Sequence, residues 1–186
     1  MRRRGVVVLF VLLAALVITP AAPSVAGPYC GIRWGSLEKT NGEPSRTGDV
    51  FAVRTGRHAC YDRVVIDVEG PFAGYVVRYV DTVTMPAGDA VAVRGGARLE
   101  VVARAWTQVA ASGSPYFLMA TSGTVTDMRD VTGYRTLRQV AWAGTSDDGN
   151  TTIGVGTRAR LPFRAFILPG PHETTSRLVV DVAHRW

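Results

Sequence analysis

Lysine is nearly missing from this chain of 186 residues: Lys39 is the one lysine among 21 basic residues, and the others are arginines. Charged residues of both signs make up only 19% of the sequence, and the formal net charge is +6. A nucleic-acid-binding domain normally carries a dense face of basic side chains, which so few charges do not supply. The composition therefore argues against nucleic acid as a partner.

Motifs that mark catalytic or metal sites are also missing. The sequence has no Gly-x-Ser-x-Gly nucleophile elbow, and its histidines, His58, His172 and His184, have no His-x-x-x-His or His-Glu-x-x-His spacing. His58, Asp62 and His184 could form an acid–base or metal site if the first and last strands were neighbours. Otherwise they are structural residues at strand ends. The sequence accordingly predicts no enzyme, no metal and no cofactor.

Long apolar runs are confined to the first 26 residues. Three arginines at positions 2–4 precede the uncharged stretch 6–18, and small residues at 24 and 26 occupy the −3 and −1 positions of a cleavage site. This is the pattern of a secretory signal peptide, and a run of 13 residues is short against the roughly 20 of a membrane-spanning helix. We expect residues 1–26 to be a leader cleaved after Ala26, with an uncleaved N-terminal anchor as the alternative.

Loss of the leader halves the net charge. Residues 1–26 contain three arginines and no acidic residue, so the net charge of residues 27–186 is +3. This net charge produces a weak electrostatic field for a chain of this length, which again argues against nucleic acid as a partner. No integral membrane span is expected after the leader, so the mature chain should be secreted.

Cys30 and Cys60 are the only cysteines in the chain. Exported proteins mature in oxidising compartments, where such a pair forms a disulfide. The bridge would close a loop of about 30 residues, contribute about 3 kcal/mol in the chain-entropy model, and hold the N-terminal segment against the domain. Two buried free thiols are the alternative, and a metal site built from two cysteines alone is not expected.

From residue 49 onward the hydrophobic pattern is that of β-strands. In segment 63–69, Val64, Ile66 and Val68 alternate with mostly charged residues, which gives the strand one buried and one polar face. Gly95 and Gly96 predict a hairpin turn between segments 91–93 and 97–103. About nine short strands with Gly/Pro turns are typical of a sandwich or barrel. We expect an all-β, single-domain β-sandwich over residues 49–186, preceded by an extended lead-in at 27–48. The strands are predicted at 50–54, 63–69, 75–80, 91–93, 97–103, 134–142, 151–160, 163–168 and 177–183.

One strand pattern occurs twice. Residues 63–68 read Arg-Val-Val-Ile-Asp-Val, and residues 177–182 read Arg-Leu-Val-Val-Asp-Val. Two buried strands with charged outer faces can converge on such a pattern, or the strands can occupy related positions in a pseudo-repeated sheet. In either case Arg63 and Asp67 lie on one face, where they can pair diagonally with charges on a neighbouring strand.

The ordered set of these strands resembles the AMIN domain, and the longer pattern resembles the AMIN-like domain of secreted bacterial proteins. The resemblance covers roughly residues 49–184. It implies a β-sandwich module that works outside the cytoplasm. AMIN domains target cell-wall amidases and type IV pilus secretins to peptidoglycan or the envelope, and they carry no catalysis themselves. The residues that carry the resemblance are 53–58, 61–68, 75–77, 155–158, 162–164 and 177–184.

A candidate binding cluster combines forked cations with aromatic and imidazole groups: Arg54, Arg57, His58, Tyr61 and Arg63. Peptidoglycan offers stem-peptide carboxylates for bidentate arginine contacts and sugar faces for aromatic stacking. The sequence thus favours a secreted, envelope-associated binding module whose partner is peptidoglycan or an envelope protein. The alternative is that these charges only solvate a sheet face and pair with nearby carboxylates.

Two other classes of function stay open. A secreted protein-interaction or inhibitor module would use an exposed loop such as 107–133 or 144–151. A secreted hydrolase would require buried, mutually hydrogen-bonded polar groups in a cleft.

Overall fold

The computed structural model describes residues 29–42, 48–70, 72, 74–107 and 127–186. The expected leader and most of the predicted loop 107–133 lie outside the described residues. Within the described ranges the chain forms eleven strands and one short 3₁₀ turn at Tyr29–Gly31. The strands are β1 (Lys39–Asn41), β2 (Asp49–Arg57), β3 (Tyr61–Glu69), β4 (Tyr75–Val80), β5 (Val83–Thr84), β6 (Ala90–Val91), β7 (Ala97–Ala103), β8 (Leu137–Thr145), β9 (Thr151–Thr157), β10 (Phe163–Pro169) and β11 (Thr175–Ala183).

Two antiparallel sheets form the sandwich. The five-stranded sheet has the order β1-β4-β7-β9-β8, and the four-stranded sheet has the order β10-β11-β3-β2. One face of each sheet packs into a common core, which Val64 and Ile66 line from β3 and Leu99 and Val101 from β7. The all-β sandwich and the period-two faces predicted for these strands are confirmed. Among the described residues, no helix has the length and apolar character needed to cross a membrane.

The predicted hairpin at Gly95 and Gly96 is wrong. β6 pairs with β5 in a separate two-stranded sheet, whereas β7 pairs with β4 and β9. The chain between β6 and β7 crosses the outer surface of β9, where a Cβ on Gly156 would lie 1.8 Å from the carbonyl oxygen of Arg94. The small two-stranded sheet thereby covers a second apolar cluster, formed by Val83, Val91, Val93, Ala141 and Ala143.

The predicted disulfide is confirmed, because Cys30 and Cys60 are bonded. The lead-in that follows Cys30 is better ordered than the sequence indicates. It supplies β1, which extends the five-stranded sheet at β4, and the carbonyl oxygen of Gly35 accepts a hydrogen bond from the backbone N–H of Phe163 at 3.0 Å. The N-terminal segment therefore contacts both sheets.

Candidate functional site

The two strands with the repeated pattern are neighbours at the centre of the four-stranded sheet. β3 and β11 pair antiparallel, with Arg63 opposite Asp181 and Asp67 opposite Arg177. An Arg-x-x-x-Asp strand is complementary to a second copy of itself in antiparallel pairing, because each arginine then faces an aspartate. The charged residues of both strands alternate with core residues, so they lie on the outer face of the sheet.

Asp181 is the electrostatic centre of this outer face. Its side chain is fully buried and accepts hydrogen bonds from two arginines. Arg63 Nε lies 2.6 Å from Oδ1, and Arg164 Nη2, from the adjacent β10, lies 2.8 Å from Oδ2. The hydrogen bond to Asp181 raises the pKa of Arg63 above its ordinary value. Two cations share one carboxylate, which leaves the group with a net positive charge.

Three aromatic rings lie against these two arginines, and the imidazole ring of His58 stacks on one of the three. The Arg164 guanidinium lies 4.4 Å from the ring centre of Trp34 and 5.0 Å from that of Phe166. Tyr61 packs edge-on against Trp34 at 5.6 Å and stacks with His58 at 4.5 Å. We call the whole set the aromatic–arginine cluster: Trp34, His58, Tyr61, Arg63, Arg164 and Phe166.

The structure separates the five predicted site residues into three groups. His58, Tyr61 and Arg63 belong to the aromatic–arginine cluster. Arg54 lies on the same outer face but forms a bidentate pair with Asp67, with Nε–Oδ2 and Nη2–Oδ1 distances of 2.6 and 2.7 Å. This hydrogen bonding raises the pKa of Arg54.

Arg57 forms the third group, on the opposite face of β2. It stands opposite the buried Asp62 in the strand register, and its guanidinium lies 5.8 Å from the ring centre of Tyr134. A shallow depression of about 210 Å³ on the outer face is lined by Arg54 and Arg63 together with Val65, Leu168, Arg177 and other residues, and Arg57 is not among them.

Sequence reasoning did not place three members of the cluster beside the predicted site residues: Trp34, Arg164 and Phe166. Arg164 and Phe166 occupy alternating positions of a strand that was predicted at 163–168, so their shared face could have been found from the period of two. Trp34 gives no such signal, because its position depends on the path of the chain after the disulfide.

Asp62 and His184 meet at one end of the sandwich, below the surface. His184 Nε2 lies 3.1 Å from Asp62 Oδ1, while Oδ2 accepts hydrogen bonds from the backbone N–H groups of Thr136 and Leu137 at 2.6 and 3.2 Å. The last predicted strand, β11, is a neighbour of β3 and not of the first predicted strand, β2, and His58 stacks with Tyr61 instead of joining this pair. Both side chains are buried, and the carboxylate fixes a loop rather than facing a cleft.

The described residues contain no group of three His, Cys, Asp or Glu side chains that could hold a metal ion.

Comparison with protein-family models gives a match to the AMIN-like domain over residues 48–184. The chain belongs to the AMIN-like family. The match covers the sandwich from the start of β2 to His184, and it agrees with the resemblance carried by β3, β4 and β11. Neither the curated proteins nor the solved structures give a significant match. Membership in the AMIN-like family, together with the disulfide, indicates an envelope-associated, extracytoplasmic module.

Proposed function

We propose that this protein is an exported, non-catalytic module that binds peptidoglycan through the aromatic–arginine cluster. The observation that supports the proposal most is the pairing of two arginines with one buried carboxylate beside four rings. Arg164 keeps 40% of its side-chain surface exposed while its guanidinium is hydrogen-bonded to Asp181. A cation held in this way is already oriented for an incoming carboxylate.

The chemistry of the cluster fits both parts of peptidoglycan. Guanidinium groups bind the carboxylates of stem peptides with two parallel hydrogen bonds, and ring faces pack against the apolar faces of sugars. His58 is exposed while its ring stacks with that of Tyr61. Because Asp181 holds both arginines, less side-chain entropy is lost on binding than with free arginines.

Co-sedimentation with purified cell-wall sacculi tests this proposal. We expect Trp34→Ala and His58→Ala each to reduce the pelleted fraction several-fold, because each removes a ring from the cluster. Trp186→Ala and His172→Ala are matched controls, since both residues are exposed and lie outside the cluster. They should bind sacculi like the unaltered protein.

The variants avoid Arg63 and Asp181, because removing one of them leaves a charge without its partner and destabilises the fold. The proposal fails if the unaltered protein does not pellet with sacculi at low salt. It also fails if the cluster variants and the control variants bind equally.

A further inference from the structure

Five exposed arginines gather at one end of the sandwich. One ends β2, two lie at the start of β8, one follows β9 and one follows β11, so four separate parts of the chain contribute to one surface. We call this surface the arginine end: Arg57, Arg135, Arg138, Arg158 and Arg185.

These arginines have no carboxylate partner among the described residues, unlike Arg54, Arg63 and Arg164. Arg138 donates hydrogen bonds to the carbonyl oxygens of Tyr134 and Leu137 at 3.2 and 2.8 Å, and Arg158 donates to that of His184. Neutral carbonyl oxygens orient a guanidinium without cancelling its charge. The arginine end is therefore both ordered and cationic.

Thr136 joins the segments that carry these arginines. Its backbone N–H is held by Asp62, its carbonyl oxygen accepts the backbone N–H of Arg158 at 2.9 Å, and its hydroxyl donates to the carbonyl oxygen of Ala183 at 3.2 Å. Arg135 precedes Thr136 directly, and Arg185 lies two residues after Ala183. Hydrogen bonds of Thr136 thus hold together the segments that carry Arg135, Arg158 and Arg185.

Four carboxylates lie near the arginine end, and two of them are paired with cationic or imidazole groups. Asp62 is buried against His184, and Asp127 pairs with Arg94 at 2.6 Å. Asp130 is exposed, and Asp81 borders a depression that Arg98 and Arg160 also line. The opposite end of the sandwich carries five acidic residues, Asp49, Glu69, Asp147, Asp148 and Glu173, against two arginines, Arg104 and Arg177. A net charge of +3 for residues 27–186 therefore conceals a separation of charge from end to end.

The chain also enters the described structure at the arginine end. The Arg185 guanidinium lies 5.6 Å from the ring centre of Tyr29, and Cys30 is bonded to Cys60 in the turn between β2 and β3. If the leader is retained, its apolar stretch 6–18 tethers this end to a membrane. If cleavage follows Ala26, the new α-ammonium group lies two residues before Tyr29 and adds a further cation.

We propose that the arginine end docks on the anionic phospholipid headgroups of a membrane, with the acidic end directed away from it. Anionic headgroups attract nearby arginines electrostatically, and guanidinium groups bind phosphate in a bidentate manner. Each arginine close to the surface strengthens binding about fivefold. The arginine end and the aromatic–arginine cluster share no residue, so the two proposals are tested by different variants.

Vesicle co-sedimentation of the full chain tests the proposal. The probes are vesicles of phosphatidylcholine alone and vesicles of an equal mixture of phosphatidylcholine and phosphatidylglycerol. Arg2, Arg3 and Arg4 of the full chain also attract anionic headgroups, so the comparison between variants that leave these residues unchanged decides whether the arginine end makes the contact. We expect tighter binding to the anionic vesicles, weakening as salt rises because the field is screened within about 10 Å at 0.1 M salt.

Two double variants locate the contact. Arg135→Gln with Arg185→Gln removes two cations that donate no hydrogen bond within the described structure, and should weaken anionic-vesicle binding about 25-fold. Arg104→Gln with Arg177→Gln removes the same charge at the acidic end and should change binding by less than about twofold. Equal losses in both double variants, or no preference for anionic vesicles, would overturn the proposal. So would binding to soluble polyphosphate without binding to vesicles.

Discussion

Inside a fold, a carboxylate is tolerated when hydrogen-bond donors surround it, and Asp62 is such a case. Its oxygens face the backbone N–H groups of Thr136 and Leu137 and the Nε2 atom of His184. These contacts link β3 with the loop before β8 and with the end of β11. One side chain thus holds three segments that are distant in the sequence.

Replacing Asp62 with alanine should lower the free energy of unfolding by about 3–5 kcal/mol, because buried donors lose their acceptor. Asp62→Asn keeps one acceptor oxygen and should lose less. Urea unfolding followed by tryptophan fluorescence measures both changes. Asp81→Ala, at an exposed position, is the control and should stay within about 0.5 kcal/mol. A loss in Asp62→Ala no greater than that of the control would contradict this role.

The faces of single residues can be predicted from sequence more readily than their partners. Alternation along β3 places Arg63 outward and Val64 inward, as the structure shows. It does not reveal that Asp181 neutralises Arg63, because that contact depends on long-range strand pairing. Alternation places Arg54 and Arg57 on opposite faces, since they are three residues apart and the β-bulge between Val50 and Ala52 precedes both. The strand predicted at 50–54 stops short of Arg57, so it assigns that residue no face.

At the scale of whole strands, β3 and β11 show how a repeated pattern fixes a register. A shift of the pairing by two residues would keep the apolar faces inward but separate Arg63 from Asp181. The charged positions therefore distinguish between registers that the core alone would accept. From the sequence, the repetition could be recognised but the pairing could not, because nothing local shows which strands become neighbours.

The two-stranded sheet β5–β6 depends on glycines of β9. A Cβ on Gly154 would lie 2.7 Å from Val93 Cγ2, and one on Gly156 would meet the backbone of Arg94. Gly95 and Gly96 correctly predict that the chain turns there. Its path is determined by packing against β9, and not by pairing between β6 and β7. A hairpin prediction that uses only local residues could not include the surface of β9, which is distant in the sequence.

Gly156→Ala should therefore destabilise the protein by about 1–3 kcal/mol, since the new methyl group displaces the chain at Arg94. The melting temperature should fall by several degrees. Gly35→Ala is the matched control, because no atom lies within 4 Å of its added Cβ. Its melting temperature should stay the same or rise slightly. If both substitutions were tolerated equally, the close packing of this crossing would not matter for stability.

For the molecule as a whole, the position of the charges matters more than their sum. The sequence predicts a weak field from a net charge of +3 after the leader. The fold places arginines of four segments at one end and acidic residues at the other, a separation that needs the complete topology. The all-β class, the disulfide and the core strands, in contrast, follow from period-two patterns and from the predicted leader.

The disulfide should contribute to global stability by restricting the unfolded chain. Its cysteines are separated by 30 residues, which corresponds to about 3 kcal/mol. We expect Cys30→Ser with Cys60→Ser to lose this amount in urea unfolding. Reduction of the unaltered protein should give a similar loss, and reductant should not change the double variant. Equal stability of the oxidised and reduced forms would show that the bridge only retains the N-terminal segment.

The bridge also determines how the protein responds to a pulling force applied between its N-terminus and its C-terminus. Tension that enters at Cys30 passes through the covalent bond to Cys60 and bypasses β1 and β2. It then acts where the backbone N–H of His184 bonds the carbonyl oxygen of Cys60 at 3.0 Å. Because β3 begins and β11 ends at this point, the load opens their ladder one hydrogen bond at a time, like a zip, instead of shearing all its bonds together.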